Sequence, residues 1–248
     1  DKKAVCIKDQ KMTQQKVYFL DTMEYAKAFD NNNKWNLLEG DIVYVEDIPT
    51  IVKSRPLSEN NSNSVLLKMD KVRHFIFIKD NISFADKEDK AIFRGKIAGK
   101  DIRLNFFEQY FGNPRFDIRT IDLIKPEWKG EKISIYDHLR YKYVMALEGN
   151  DVASNLKWIM SSNSIAIMPQ PTCETWFMEG TLKPDYHYIE VKPDLSDLEE
   201  KMDYYSAHPE EAQKIIEHAH EYVKQFKDKK REEIISFLVL DKYFNLLK

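Results

Sequence analysis

The alternation of apolar and polar residues changes period several times along this 248-residue chain, most sharply between residues 141 and 191. Residues 141–147 make a short, largely apolar run closed by Gly149-Asn150, which predicts a buried strand ending in a turn. Val152, Leu156, Ile159 and Met160 then recur at helical spacing, predicting a helix over 152–163 capped by Asn150 or Asp151. Residues 165–168 read as a strand stopped by Pro169 and Pro171, and residues 186–191 as another. Strand, turn, helix, strand is a βαβ crossover, and its helix would start beyond the strand ends with free backbone N–H groups, a place that suits a diphosphate.

The flanking segments are patterned less strongly. Residues 16–20 predict a strand, and 22–30 a short helix with Met23, Ala26 and Phe29 on one side, broken by three asparagines. A strand is expected over 41–45, ending before Pro49. Loops are expected over 50–55 and 58–64, a strand over 65–67 and a β-favouring run over 74–78. The charged stretch 86–90 predicts a boundary between halves, because nothing in it is suited to a core. Beyond it come a strand at 91–93 leading into Arg94-Gly95, a helix at 102–111, a strand at 116–121 and a loop at 126–132. Three helices close the chain. The first is 194–205, the second opens at Pro209 with an apolar face from Ala212 to Phe226 at 3.6-residue spacing, and the last is 232–247. No internal repeat is present.

Composition narrows the class. With 43% hydrophobic residues and only 7 glycines the chain is expected to fold. A net charge of −3 argues against general nucleic-acid binding. Cys6 and Cys173 are too few for a disulfide framework or a zinc site and favour a reducing compartment. No run of 18 apolar residues occurs, so no membrane-spanning helix is expected. The chain begins without Met or a signal-like segment, which leaves room for a native N-terminus upstream.

The run YKYVMALEGNDVASNLKWIMSSNSIAIMP, followed by ETWF and LKPDYHYIEVKPDLSDL, with EDIPTIVKSRP and IFRGK upstream, resembles glycosyltransferase family 90, and within it most resembles the bacterial lipopolysaccharide branch. The resemblance runs from about Gly40 to about Phe226. It implies an α/β, GT-B-like fold of two Rossmann-like halves with a cleft between them and C-terminal helices. It also implies a UDP-linked sugar donor and inverting transfer without an essential metal or other cofactor. The halves would be residues 1–89 on the acceptor side, joined by helix 232–248, and 90–231 on the donor side.

Such a transfer needs a base for the acceptor hydroxyl and cations for the departing diphosphate. The family uses an Asp in an Asp-x-Pro context as the base, and the resemblance carries this to Asp47; read alone, an Asp here more often caps a turn. Arg94, before Gly95 at a strand end, is the leading phosphate ligand, with a solvent-facing arginine as the plain alternative. Arg73 matches another basic position near the cleft. Gly149, Asn150 and Asp151 form the turn before the central helix, an ordinary βα loop if they bind nothing. Where eukaryotic members carry Ser-Phe-Arg, this chain has Ala153-Ser154-Asn155, so Asn155 replaces an arginine and Lys157 is the candidate substitute. Glu174 is a candidate for ribose binding at the start of a short helix, or else a first-turn Glu favoured by the helix dipole. Trp176, Phe177 and His187 are expected to be structural. No His or carboxylate spacing suits a metal, and no Asp-x-Asp triplet occurs.

The reading is therefore a cytoplasmic transferase that moves a hexose from a UDP-sugar to a lipopolysaccharide core sugar. A non-catalytic carbohydrate- or nucleotide-binding module is the alternative, kept open by Asn155. The lysines of 224–231 leave peripheral contact with the inner membrane open, although interspersed acids favour a solvated face.

Overall fold

The structure, a computed structural model, describes residues 4–246 and is a mixed α/β fold. Strands β1 (Val5–Cys6) and β2 (Lys34–Trp35) pair antiparallel on either side of helix α1 (Lys16–Ala26). Three short strands, β3 (Leu37–Leu38), β4 (Thr50–Val52) and, after β5 (Ser54–Pro56), β6 (Ser64–Leu66), make a parallel sheet in the order β3-β4-β6. A four-residue helix, α2 (Lys71–His74), follows.

The larger sheet contains β7 (Glu88–Gly95), β8 (Phe116–Thr120), β9 (Tyr141–Met145), β10 (Ile165–Met168) and, after β11 (Cys173–Thr175), β12 (Ile189–Glu190). Its order is β12-β10-β9-β7-β8 and every pairing is parallel. Strand β11 leaves this sheet and pairs antiparallel with β5, with Glu174 opposite Arg55. The connecting helices are α3 (Asp101–Tyr110), α4 (Ile135–His138) and α5 (Leu156–Ile159), and α6 (Leu198–Ala207), α7 (Pro209–Lys227) and α8 (Lys229–Leu246) end the described chain. Among the described residues no helix is long and apolar enough to cross a membrane.

The sheet is buried on both faces, and the period of two along its strands sorts the core. Ala91, Phe93, Tyr143, Met145, Ile165 and Ile167 face one cluster, completed by Phe106 and Phe107 of α3 and Met202 of α6. Their neighbours Ile92, Val144, Ala166 and Met168 face the opposite cluster, which reaches α7, α8, α1 and the small sheet through Val223, Leu240, Tyr25 and Ile51. Helix α8 packs on α1, where the Phe237 and Tyr25 rings meet edge to face at 5.4 Å, and Tyr243 Oη donates to the Pro49 carbonyl at 3.0 Å.

Several local expectations give way to tertiary structure. Residues 16–20 belong to α1, because Tyr18, Thr22, Tyr25 and Ala26 fall on one buried helical face. Residues 41–45 form no strand: Ser54 Oγ takes the place of a ladder partner, accepting from the Ile42 N–H at 3.0 Å and donating to the Ile42 carbonyl at 2.9 Å. The expected loop over 50–55 contains β4 and β5, and the β-favouring run from residue 74 starts inside α2. The charged stretch 86–90 is no solvated linker, since Lys87 is buried in an ion pair with Asp80 at 2.8 Å and Glu88 opens β7. Within 152–163 only the four residues of α5 are α-helical, too short for an appreciable helix dipole. Residue 247, the expected end of the last helix, lies outside the described residues.

Candidate active site

Parallel strands deliver loops to one edge of a sheet, and here the loops after β7 and β9 meet. Arg103 of α3 ties them together. Its guanidinium donates to the carbonyls of Lys96 at 2.8 Å, Leu147 at 2.7 Å and Glu148 at 2.9 Å. Gly149 permits this approach, because a Cβ there would stand 3.0 Å from Arg103 Nη2. A Cβ at Gly95 would likewise stand 3.0 Å from the Phe93 ring. Burial pulls the Arg103 pKa down, yet a guanidinium remains charged at any working pH. Among the described residues the hydrogen bonds of Arg103 go to carbonyls, so its charge is left without a hydrogen-bonded carboxylate there. Lys96 and Lys100 share its cavity, whose volume is about 560 Å³.

Across the cavity the wall comes from the N-terminal part of the chain and is built around Asp41. Arg73 Nη2 lies 3.1 Å from Asp41 Oδ1, while its Nε lies 2.7 Å from Asp70. The buried ammonium of Lys53 bonds Asp41 and stands 2.6 Å from Asp151 Oδ2, and Asn150 Nδ2 donates to Asp41 Oδ2 at 3.0 Å. Burial pushes the Asp41 pKa up, but Lys53, the Asn150 amide and Arg73 outweigh it and hold the carboxyl well below the usual carboxylate range. Burial and the Asp41 charge together raise the neighbouring Tyr18 phenol, which donates to Asp41 Oδ1 at 3.2 Å. Asp41, Arg73 and Asn150 also line a second cavity of about 610 Å³, bounded by Gln14, Gln15 and the first turn of α1. One ionised carboxylate thus stands on the wall shared by two cavities.

The residues singled out in the sequence divide accordingly. Arg73, Arg94, Gly95, Gly149, Asn150, Asp151 and Asn155 all line the first cavity. Arg94 is not free: it is paired with Asp117 at 2.7 Å and donates to the Asp117 carbonyl at 2.8 Å. Asn155 donates to the Met145 carbonyl at 3.0 Å, which fixes the turn into α5. Lys157 is not on the surface and not among the cavity residues; it is fully buried, bonded to Glu179 and 5.3 Å from the centre of the Phe177 ring. Glu174 lies on strand β11, not at a helix start, with Arg55 at 2.7 Å. Asp47 is exposed on the loop before β4 and lines neither cavity. Asp41, Arg103 and His74, which the sequence did not single out, line the same cavity, and no local pattern marks them.

A polar cleft at the loop edge of a parallel sheet, lined by several cations and an ionised carboxylate, has the character of an enzyme site. Comparison with known proteins agrees. The sequence model described as "Glycosyl transferase family 90" matches residues 63–248, and the chain belongs to that family. It is 39% identical over 234 residues to "O-glucosyltransferase LpsA" of Dichelobacter nodosus, covering 93% of this chain and 73% of that protein. It is also 27% identical over 169 residues to human "Protein O-glucosyltransferase 3", covering 65% of this chain and 33% of the human one. With zebrafish (Danio rerio) "Protein O-glucosyltransferase 2" it shares 34% identity over 83 residues, which is 34% of this chain and 16% of that protein. The chain is a glycosyltransferase.

Proposed function

We propose that the enzyme transfers a hexose from a UDP-sugar to a hydroxyl of a lipopolysaccharide core sugar with inversion, on a GT-B arrangement whose two sheets flank the cleft. The observation that carries this is the position of Asp41 between two cavities. The donor occupies the cavity rimmed by Arg103, Lys96 and Lys100, and the acceptor enters the one beside α1. The acceptor oxygen attacks the anomeric carbon, the bond from that carbon to the diphosphate breaks, UDP departs with the electron pair, and the acceptor proton passes to Asp41. Lys53 and Arg73 keep the Asp41 carboxylate ionised but weaken it as a base, so it takes the proton late, once the hydroxyl has become acidic as its oxygen bonds to carbon. Asp41 takes this role in preference to Asp47 because Asp47 lines neither cavity.

The relatives' printed names as O-glucosyltransferases favour a glucosyl group. The lipopolysaccharide acceptor follows from the sequence resemblance, and the free Cys6 and Cys173 support a cytoplasmic setting. The test is UDP release from a panel of UDP-hexoses in the presence of core oligosaccharide, with product linkage read by NMR. Transfer with retained anomeric configuration, or no turnover with any UDP-hexose, would overturn the reading.

A further inference from the structure

His74 ends α2 and is only 1% exposed, yet neither ring nitrogen has a hydrogen-bond partner among the described residues. The nearest acid is Asp70, whose Oδ2 is 3.9 Å from Nε2, beyond hydrogen-bond reach, and already engaged by Arg73. Leaving buried donors and acceptors unpaired is costly, and native structures seldom do so unless a water or ligand supplies the missing partner. His74 lines the same cavity as Arg103 and Asn155, on the opposite wall beside Arg73 and Asp41.

Burial, with the charges of Lys157, Lys53 and Arg73, pushes the imidazole pKa down to about 2. The ring is therefore neutral and offers one N–H and one lone pair, which matches a hydroxyl; a phosphate would call for a cation. We propose that His74 is a specificity residue that hydrogen-bonds a hydroxyl of the donor hexose while Arg103 and the rim lysines hold the diphosphate. This rests on the UDP-sugar reading above.

The test is calorimetry of UDP and of UDP-glucose with the wild type, His74→Phe and His74→Gln. Phenylalanine keeps the ring's bulk without its hydrogen bonds, so UDP affinity should stay within about twofold while UDP-glucose binding falls roughly tenfold. Glutamine, with an amide donor and acceptor, should recover part of that loss. An unchanged ratio of the two affinities in a folded His74→Phe protein overturns the assignment. If that variant does not fold, monodeoxy UDP-glucose analogues on the wild type decide: one missing hydroxyl should cost about the same factor, and uniform tolerance overturns the proposal. A wild type that binds neither UDP nor UDP-glucose brings down the donor reading itself, and this inference with it.

Discussion

Replacing Asp41 by Asn separates its two roles. The side chains are nearly isosteric, so the change removes a charge and a proton acceptor while leaving the shape. Losing one partner of a buried ion pair costs about 3–5 kcal/mol when the other is stranded. Here Lys53 keeps Asp151 at 2.6 Å and the new amide can still accept from Asn150, so a loss of about 1–2 kcal/mol is expected. Against a total stability of about 5–15 kcal/mol, the variant stays folded. General-base catalysis contributes about 10²- to 10⁴-fold, so turnover should fall by that factor while UDP affinity changes little. Coupled UDP-release kinetics, UDP calorimetry and urea denaturation measure the three quantities, with Asp47→Asn as the comparison. The stability difference should depend on pH. A carboxylate whose folded pKa is depressed stabilises above its unfolded value, about 3.9, and the contribution fades as pH falls below that toward the much lower folded value, so the gap between wild type and variant should narrow steadily as pH drops below about 4. Near-wild-type turnover in folded Asp41→Asn, with a collapse in Asp47→Asn, would refute the assignment and return the base to the Asp-x-Pro loop.

Three further outcomes are expected. Arg103→Ala should weaken UDP binding by roughly ten- to a hundredfold by calorimetry, because its charge faces the cavity without a carboxylate partner, whereas Arg94→Ala should mainly lower the thermal midpoint, since Asp117 already neutralises it. Lys157→Met should destabilise by about 3–5 kcal/mol in urea denaturation by stranding buried Glu179, and Lys157→Met,Glu179→Gln should recover much of that, with UDP affinity unchanged in both. Turnover should survive EDTA, because the charge facing the proposed leaving group is supplied by side chains; activity lost to chelator and restored by Mn²⁺ or Mg²⁺ would show that it is not.

The sequence alone determined the part of the molecule in which local and global preferences coincide. Strands buried on both faces must be nearly continuous apolar runs, so residues 91–93, 141–147 and 165–168 announced the large sheet, the alternating run 116–121 announced its edge strand β8, and the 3.6-residue face from Ala212 to Phe226 announced α7. The sequence, read against a known family, also pointed to the βα loop at Gly149 to Asp151 and to Arg94 and Arg73, all of which line the cavity. Tertiary structure decided the rest. Strands of two or three residues, such as β3 to β6, carry too few side chains to show a period, and helix α1 was masked by a β-favouring Val-Tyr-Phe run, although its Tyr25 packs on Phe237 of α8. Charge partners are set by distance in space. Glu174 meets Arg55 across 119 residues, Lys157 is matched to Glu179 inside the core, and Asp41 joins Arg73, Lys53 and Asn150 at the cleft while Asp47, six residues away, faces solvent. Which carboxylate serves a site depends on which loop the packing turns inward, and no local pattern of residues encodes that.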